Sequence, residues 1–201
     1  MLKMVSKKSM LLLGAVMALC AFVLPSVASA ASWTPVNTTD GRIDSSDVGF
    51  SITATGSGSR CTSSTFSVSV DSSSVATITG GSFNNCHGNL GSGVGCTTTA
   101  TLTNLPWRVT VPDTSDVIIH GVDIDVSFET TPGTLNECSN NGLNIRLFGS
   151  VTASYTSVGK IFNFRAGPAG SFTATLPPPF GNQAASALGS ATATGLLNVV
   201  M

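Results

Sequence analysis

Charge is scarce in this chain: Asp, Glu, Lys and Arg make up 9% of its 201 residues, and histidine occurs twice. A nucleic-acid partner is excluded on that ground, because replacing phosphate counterions takes a basic patch. Charge-driven binding to an anionic membrane is excluded with it. Only His87 and His120 could serve as the base of a serine-hydrolase triad; neither has an acid neighbour in sequence, and no GxSxG elbow is present. No two cysteines stand in a CxxC pair, which removes the usual zinc sites. The glycines between Gly88 and Gly95 do not follow the dinucleotide fingerprint, and no βαβ rhythm surrounds them. No repeat of about 20 to 50 residues is evident. No cofactor is expected.

What is present begins with an export signal. Lys3, Lys7 and Lys8 form a basic start, the 15 residues from Met10 to Leu24 an apolar run, and Ala28-Ser29-Ala30 a small-residue cleavage site. The run falls short of the roughly 20 residues that span a bilayer, so no transmembrane anchor is expected after cleavage. Leu19 stands before Cys20 where a lipobox needs a small residue. The expected organisation is a signal peptide over 1–30 and one all-β secreted domain over 31–201, released or associated with the cell surface. Six cationic residues then face ten acids, a mature charge of about −4.

Beyond the leader the pattern is strands. Asp40, Asp44 and Asp47 lack the alternate-residue spacing of a calcium loop and read as a solvated turn. Val48, Phe50 and Ile52 alternate with polar residues, and Phe66, Val68 and Val70 repeat the alternation. Asp71 to Ser74 turns the chain into Val75 to Phe83, a hairpin. The centre of the chain is Cys86 to Trp107, CHGNLGSGVGCTTTATLTNLPW, where a glycine-rich loop precedes a threonine-rich strand. Pro106 interrupts that strand because it cannot donate to a ladder, which places Trp107 at a bend with its ring over one end of the core.

Val122, Ile124, Val126 and Phe128 alternate with Asp123, Asp125, Ser127 and Glu129, so one face is apolar and the other carries three acids. Carboxylates two apart on a strand are about 7 Å from each other, a spacing an inverting glycosidase could use. Nothing nearby would raise one carboxyl's pKa, and a charged outer face accounts for them. Leu143 to Tyr155, Lys160 to Arg165 and Ser171 to Leu176 read as three more strands, stopped by Pro177-Pro178-Pro179. Phe180 lies exposed or caps the end. Gln183 to Leu188 is alanine-rich and reads as a helical turn or two, and Ala191 to Val200 returns to extended chain. The fold class is all-β, an antiparallel β-sandwich of roughly eight to ten strands with immunoglobulin-like or related topology.

Cys61, Cys86, Cys96 and Cys138 remain after cleavage, an even set that reads as two disulfides. Three connectivities are open. Cys86–Cys96 with Cys61–Cys138 is preferred because the glycine-rich loop lets its ends meet; Cys61–Cys86, across the hairpin, is the rival.

The order SWTPVNTT, RCTSSTFSVSV, VATITGGSFNNC, GCTTTATLTNLPWRVTV and GVDIDVSF resembles the secreted bacterial family of protein activators of alkane oxidation. The likeness covers about Trp33 to Phe128 and is strongest from Cys61 to Val111. It implies a non-enzymatic exported or cell-surface accessory protein that aids growth on hydrocarbon and associates with biofilm. The partner would be a hydrophobic interface or extracellular matrix. Trp107, Phe162, Phe164 and Phe180 are then the candidate apolar contacts, since burying apolar area at an oil–water boundary is favourable by about 25 cal/mol per Å²; aromatics at such positions also serve as core. Two other readings predict different features. An adhesin-like or carbohydrate-binding module needs exposed aromatics, with Trp33, Trp107 and Tyr155 available, or a bound calcium. A small glycan hydrolase needs Asp123, Asp125 or Glu129 in a cleft with one raised pKa.

Overall fold

The computed structural model describes residues 32–34, 40–52, 55, 57–71, 75–90, 95–112, 116–131, 138–156, 158–165, 171–194 and 198–200, with backbone only at 32–34, 40, 89–90 and 198–200. The expected signal peptide, 1–30, lies outside them. Twelve strands and no helix are described. β1 (Ser32–Thr34) and β12 (Asn198–Val200) form a separate antiparallel pair. The other ten make one antiparallel sheet: β2 (Asp40–Ile52), β3 (Ser57–Val70), β4 (Ala76–Leu90), β5 (Cys96–Leu102), β6 (Trp107–Thr110), β7 (Asp116–Thr130), β8 (Asn144–Thr156), β9 (Ile161–Arg165), β10 (Phe172–Thr175) and β11 (Asn182–Thr194).

This sheet closes on itself, and the sandwich expectation is corrected to a barrel. β11 pairs with β2 from Ala185↔Ile52 to Thr194↔Arg42, joining the last long strand to the first. β5 and β6 each pair with both β4 and β7, so they are two halves of one stave. β9 and β10 share a second stave between β8 and β11 in the same way. Eight staves in up-and-down order result. Alternation along a strand is identical in a sandwich and in a barrel; only the pairing of chain-distant β2 and β11 separates them. Closure also removes the open edges that a sandwich must protect. Register shifts at Gly58/Ser59, Ser67/Val68, His120/Val122 and Ser190/Thr192 bend the long strands around the wall.

The inward residues are mostly apolar: Ile43, Phe50, Phe66, Val68, Val117, Val126, Leu147 and Ala153 are all buried, and the buried hydroxyls of Ser59 and Thr98 hydrogen-bond each other. Outward positions carry Ser, Thr and ion pairs such as Arg60–Asp47 and Arg165–Asp116. That polarity is the reverse of a membrane-spanning barrel, whose outer band is apolar.

Two local expectations change. Gln183–Leu188 is not helical but part of β11, because Ala185, Ala187, Ala191 and Ala193 lie on its inner face while Ser186, Leu188, Ser190 and Thr192 face outward. Small side chains there leave room for Phe162 and Phe172 on the neighbouring half-staves. Asp40, Asp44 and Asp47 form no turn but lie on β2, where Asp44 pairs with Arg42 at 2.6 Å and Asp47 with Arg60.

The disulfides are Cys61–Cys86 and Cys96–Cys138. The preferred Cys86–Cys96 bridge does not form, because Cys86 faces Cys61 across the β3–β4 ladder and Thr98, not Cys96, stands opposite it on β5. Cys96 begins β5 at one end of the barrel and ties it to Cys138, just ahead of β8.

Candidate functional site

The alternation that builds the staves sends most large apolar side chains to one place, and the packing there is incomplete. An apolar cavity of about 80 Å³ lies inside the barrel. Phe50 of β2, Phe66 of β3, Phe83 of β4, Trp107 of β6 and Phe162 and Phe164 of β9 project into it, with aliphatic side chains such as Ile119, Ile124 and Val151 between them. No hydroxyl, carboxyl or amide side chain belongs to its lining, and the one polar lining group, the Trp107 indole, donates to the Thr103 carbonyl at 3.0 Å. A buried water needs two to four polar partners, so such a cavity stays dry. Phe66 and Phe83 meet edge to face with ring centroids 5.4 Å apart.

Three of the four apolar-contact candidates therefore point inward. Trp107 is 3% exposed, Phe162 is buried and Phe164 is half-buried, all against the cavity. Phe180 alone is outside, 59% exposed. The other markedly exposed apolar side chain, Val158 at 83%, lies between β8 and β9 at the opposite end of the barrel. Of the rings proposed for glycan stacking, Trp107 and Tyr155 are buried, and burial raises the Tyr155 pKa. Trp33 lies on β1, its ring outside the described side chains.

The acids do not form a cleft. Asp125 and Glu129 face solvent on the outer side of β7. Asp123 shares that face, yet is 4% exposed, because Thr103 to Pro106 crosses over it as a strap between β5 and β6. The Thr103 amide donates to the Asp123 carbonyl at 2.8 Å, the Asn104 side chain donates to its carboxylate, and Arg146 grips both carboxylate oxygens, one at 2.7 Å. The hydrogen bonds to its carboxylate, Arg146 first and then Asn104, hold the Asp123 pKa down to about 2 against the opposing effect of burial. A carboxyl so strongly ionised donates no proton near neutral pH, the opposite of what a glycosidase acid requires. His120 lies half-buried between Thr110 at 2.8 Å and Ser150 at 3.4 Å, and His87 is exposed on β4. Among the described residues no three His, Cys, Asp or Glu side chains gather as a metal site.

A sequence model of the family described as alkane oxidation protein activator PraA/PraB-like matches residues 4–177. The chain belongs to this family. No curated protein and no solved structure matches it. Within this activator-like family the matched stretch is longer than the resemblance over Trp33–Phe128. It begins within the expected signal peptide and runs through β10, so every stave but β11 falls inside it. The cavity itself was not legible beforehand. Phe50, Phe66 and Phe83 read as ordinary core positions, and the signal that sets them apart is convergence on one void, which needs the closed wall.

Proposed function

We propose that this alkane oxidation activator-like protein is an exported, non-enzymatic accessory factor, released or held at the cell surface and in biofilm matrix, that takes the end of an aliphatic chain into its barrel. The observation that carries the reading is the cavity: dry, apolar on all sides and enclosed by a wall whose outer face is polar. Each methylene moved from water into it is worth about 0.8 kcal/mol. At about 80 Å³ the space is roughly half of the about 150 Å³ apolar cavity known to accept benzene, so only a chain end fits. Such binding is weak and reversible, as delivery of a hydrocarbon to an oxidising system requires. Adsorption of the whole molecule at an oil–water boundary is less well supported, because Phe180 and Val158 lie at opposite ends and form no single patch.

The test is a titration of mature protein, carbon-13 labelled at Ile and Val methyls, with n-hexane. Saturable shifts at Ile119, Ile124 and Val151 are expected. Shifts confined to Val158 and Ile161, together with lowered tension at a water–hexadecane boundary relative to an unrelated β protein, would replace cavity binding with adsorption.

A further inference from the structure

The cavity is sealed differently on its several sides, and the edge of β4 that faces β5 and β6 is not zipped. β4 meets the β5–β6 stave at two short ladders, Ala76–Ile78 with Val109–Trp107 and Cys86–His87 with Thr98–Thr97. Between those rungs, residues 79–85 and 99–106 form no cross-strand pairs with one another. Gly81, Ser82, Asn84 and Asn85 on one rim, and Thr99, Thr101, Asn104, Leu105 and Pro106 on the other, are exposed. The residues behind this slot are cavity residues: Phe83 on the β4 rim, Ala100 on the β5 rim, and Ile78 and Trp107 at the lower rung. Phe83 and Ala100 are both half-buried, partly visible from outside and partly lining the void.

Resting on the reading that the barrel takes an aliphatic chain, we propose that this slot is the mouth of the cavity and that Phe83 is its gate, admitting the end of a linear alkyl chain while the remainder stays outside. A chain longer than the cavity must leave through the wall, and a slit between two strands passes an unbranched methylene chain more easily than a branched or cyclic one. Both rims, 79–85 and 99–106, lack any charged residue, so no ion is desolvated as the chain enters. The gate has one fixed and one movable side. The strap is held by Asp123, itself clamped by Arg146, whereas the Phe83 ring is held by apolar packing, edge to face on Phe66 and against the Val48, Cys61 and Cys86 cluster. At the other divided stave the edge toward β8 is closed. Phe164 and Phe172 line the cavity there, the Ser150 amide donates to the Ser171 carbonyl at 2.6 Å, and Gly149, with φ of 125°, leaves no room for a Cβ against that same carbonyl.

The experiment measures n-hexane exchange by relaxation dispersion at the Ile78, Ile119 and Ile124 methyls in wild type, Phe83→Leu, Phe83→Trp and Phe164→Leu. Expected is exchange about tenfold faster in Phe83→Leu and about tenfold slower in Phe83→Trp, a barrier change of about 1.4 kcal/mol each way, with the dissociation constant moving far less. Phe164→Leu should change affinity and leave the rate near wild type. If n-hexane still shifts the interior methyls but neither Phe83 variant alters its exchange, or only Phe164→Leu does, the mouth is elsewhere and cavity binding stands. If wild type shows no interior shift at all, cavity and mouth fall together. Phe83→Leu is conservative enough to fold, so its rate decides the matter should Phe83→Trp not fold.

Discussion

Along one edge, β4 pairs with β3 from Ala76 to Leu90, and the Cys61–Cys86 bridge adds a covalent rung. Along its other edge the same strand meets β6 only at Ala76–Ile78 and β5 only at Cys86–His87. One run of residues thus makes both a continuous seam and a slot. The seam depends on a partner that keeps register through its bulges. The slot opens where β5, still paired with β7 through Leu102, leaves β4 after Thr98, and it continues along Thr103 to Pro106, where the chain passes over Asp123 before pairing resumes at Trp107. Loss of pairing on one edge of a strand, more than any change in composition, is what separates wall from opening.

That contrast can be broken most severely at the lower rung. Trp107→Ala removes the ring that closes the slot beneath Phe83 and is expected to cost about 3–5 kcal/mol of stability by denaturant unfolding; a cost below about 1 kcal/mol would mean that the rung is not holding the wall. On the seam side, replacing Cys61 and Cys86 together by Ser releases a loop of 25 residues and is expected to cost about 3 kcal/mol. Amide exchange should then quicken along Ser57–Ser64 of β3 and Phe83–Leu90 of β4, and unchanged protection there would show that the ladder alone suffices.

The strap comes next in size. Asp123→Ala leaves Asn104 without its acceptor and Arg146 without its carboxylate, for about 2 kcal/mol. The sign with pH follows from the depressed pKa of Asp123, about 2 when folded against about 3.9 for an unfolded aspartate. Its contribution is complete above the unfolded value and is lost as pH falls toward 2. The stability gap between wild type and Asp123→Ala should accordingly be constant near neutrality and close between about pH 4 and 2; a gap that persisted at pH 2 would remove the ion pair as its cause. Smallest is Phe180→Ser. Exposed and outside the cavity lining, it should change stability by no more than about 0.5 kcal/mol and leave n-hexane binding intact. Loss of hydrocarbon association in that variant would move the active surface from the interior to the barrel end.

Much of the wall was readable in the chain. The β3–β4 hairpin, the threonine-rich β5 broken at Pro106, the alternation of β7 and the three strands from 143 to 176 follow from period-two patterning and breaker residues, both local signals. β11 does not follow from composition, because alanine favours helix by itself, while Ala185, Ala187, Ala191 and Ala193 are small for a different reason: they face bulky rings inside the barrel. Asp123 was placed correctly on the outer face of its strand but not under a strap, since its cover is a segment about twenty residues earlier. Disulfide pairing failed on chain proximity. Cys86 and Cys96 are near in sequence, but the ladder sets Cys61 opposite Cys86 and leaves Cys96 to Cys138 at the barrel end.

By itself the sequence determined the all-β class, the inward and outward identity of most strand residues and the family, because each rests on residues close together in the chain. Tertiary structure alone decided that the sheet closes, that Phe50, Phe66, Phe83, Trp107 and Phe162 surround one void, and that β4 is sealed on one edge and parted on the other. Those outcomes depend on pairings such as Ala185 with Ile52, between residues at opposite ends of the domain. No local pattern encodes them, because period two tells a strand which way its side chains face and not which strand it will meet.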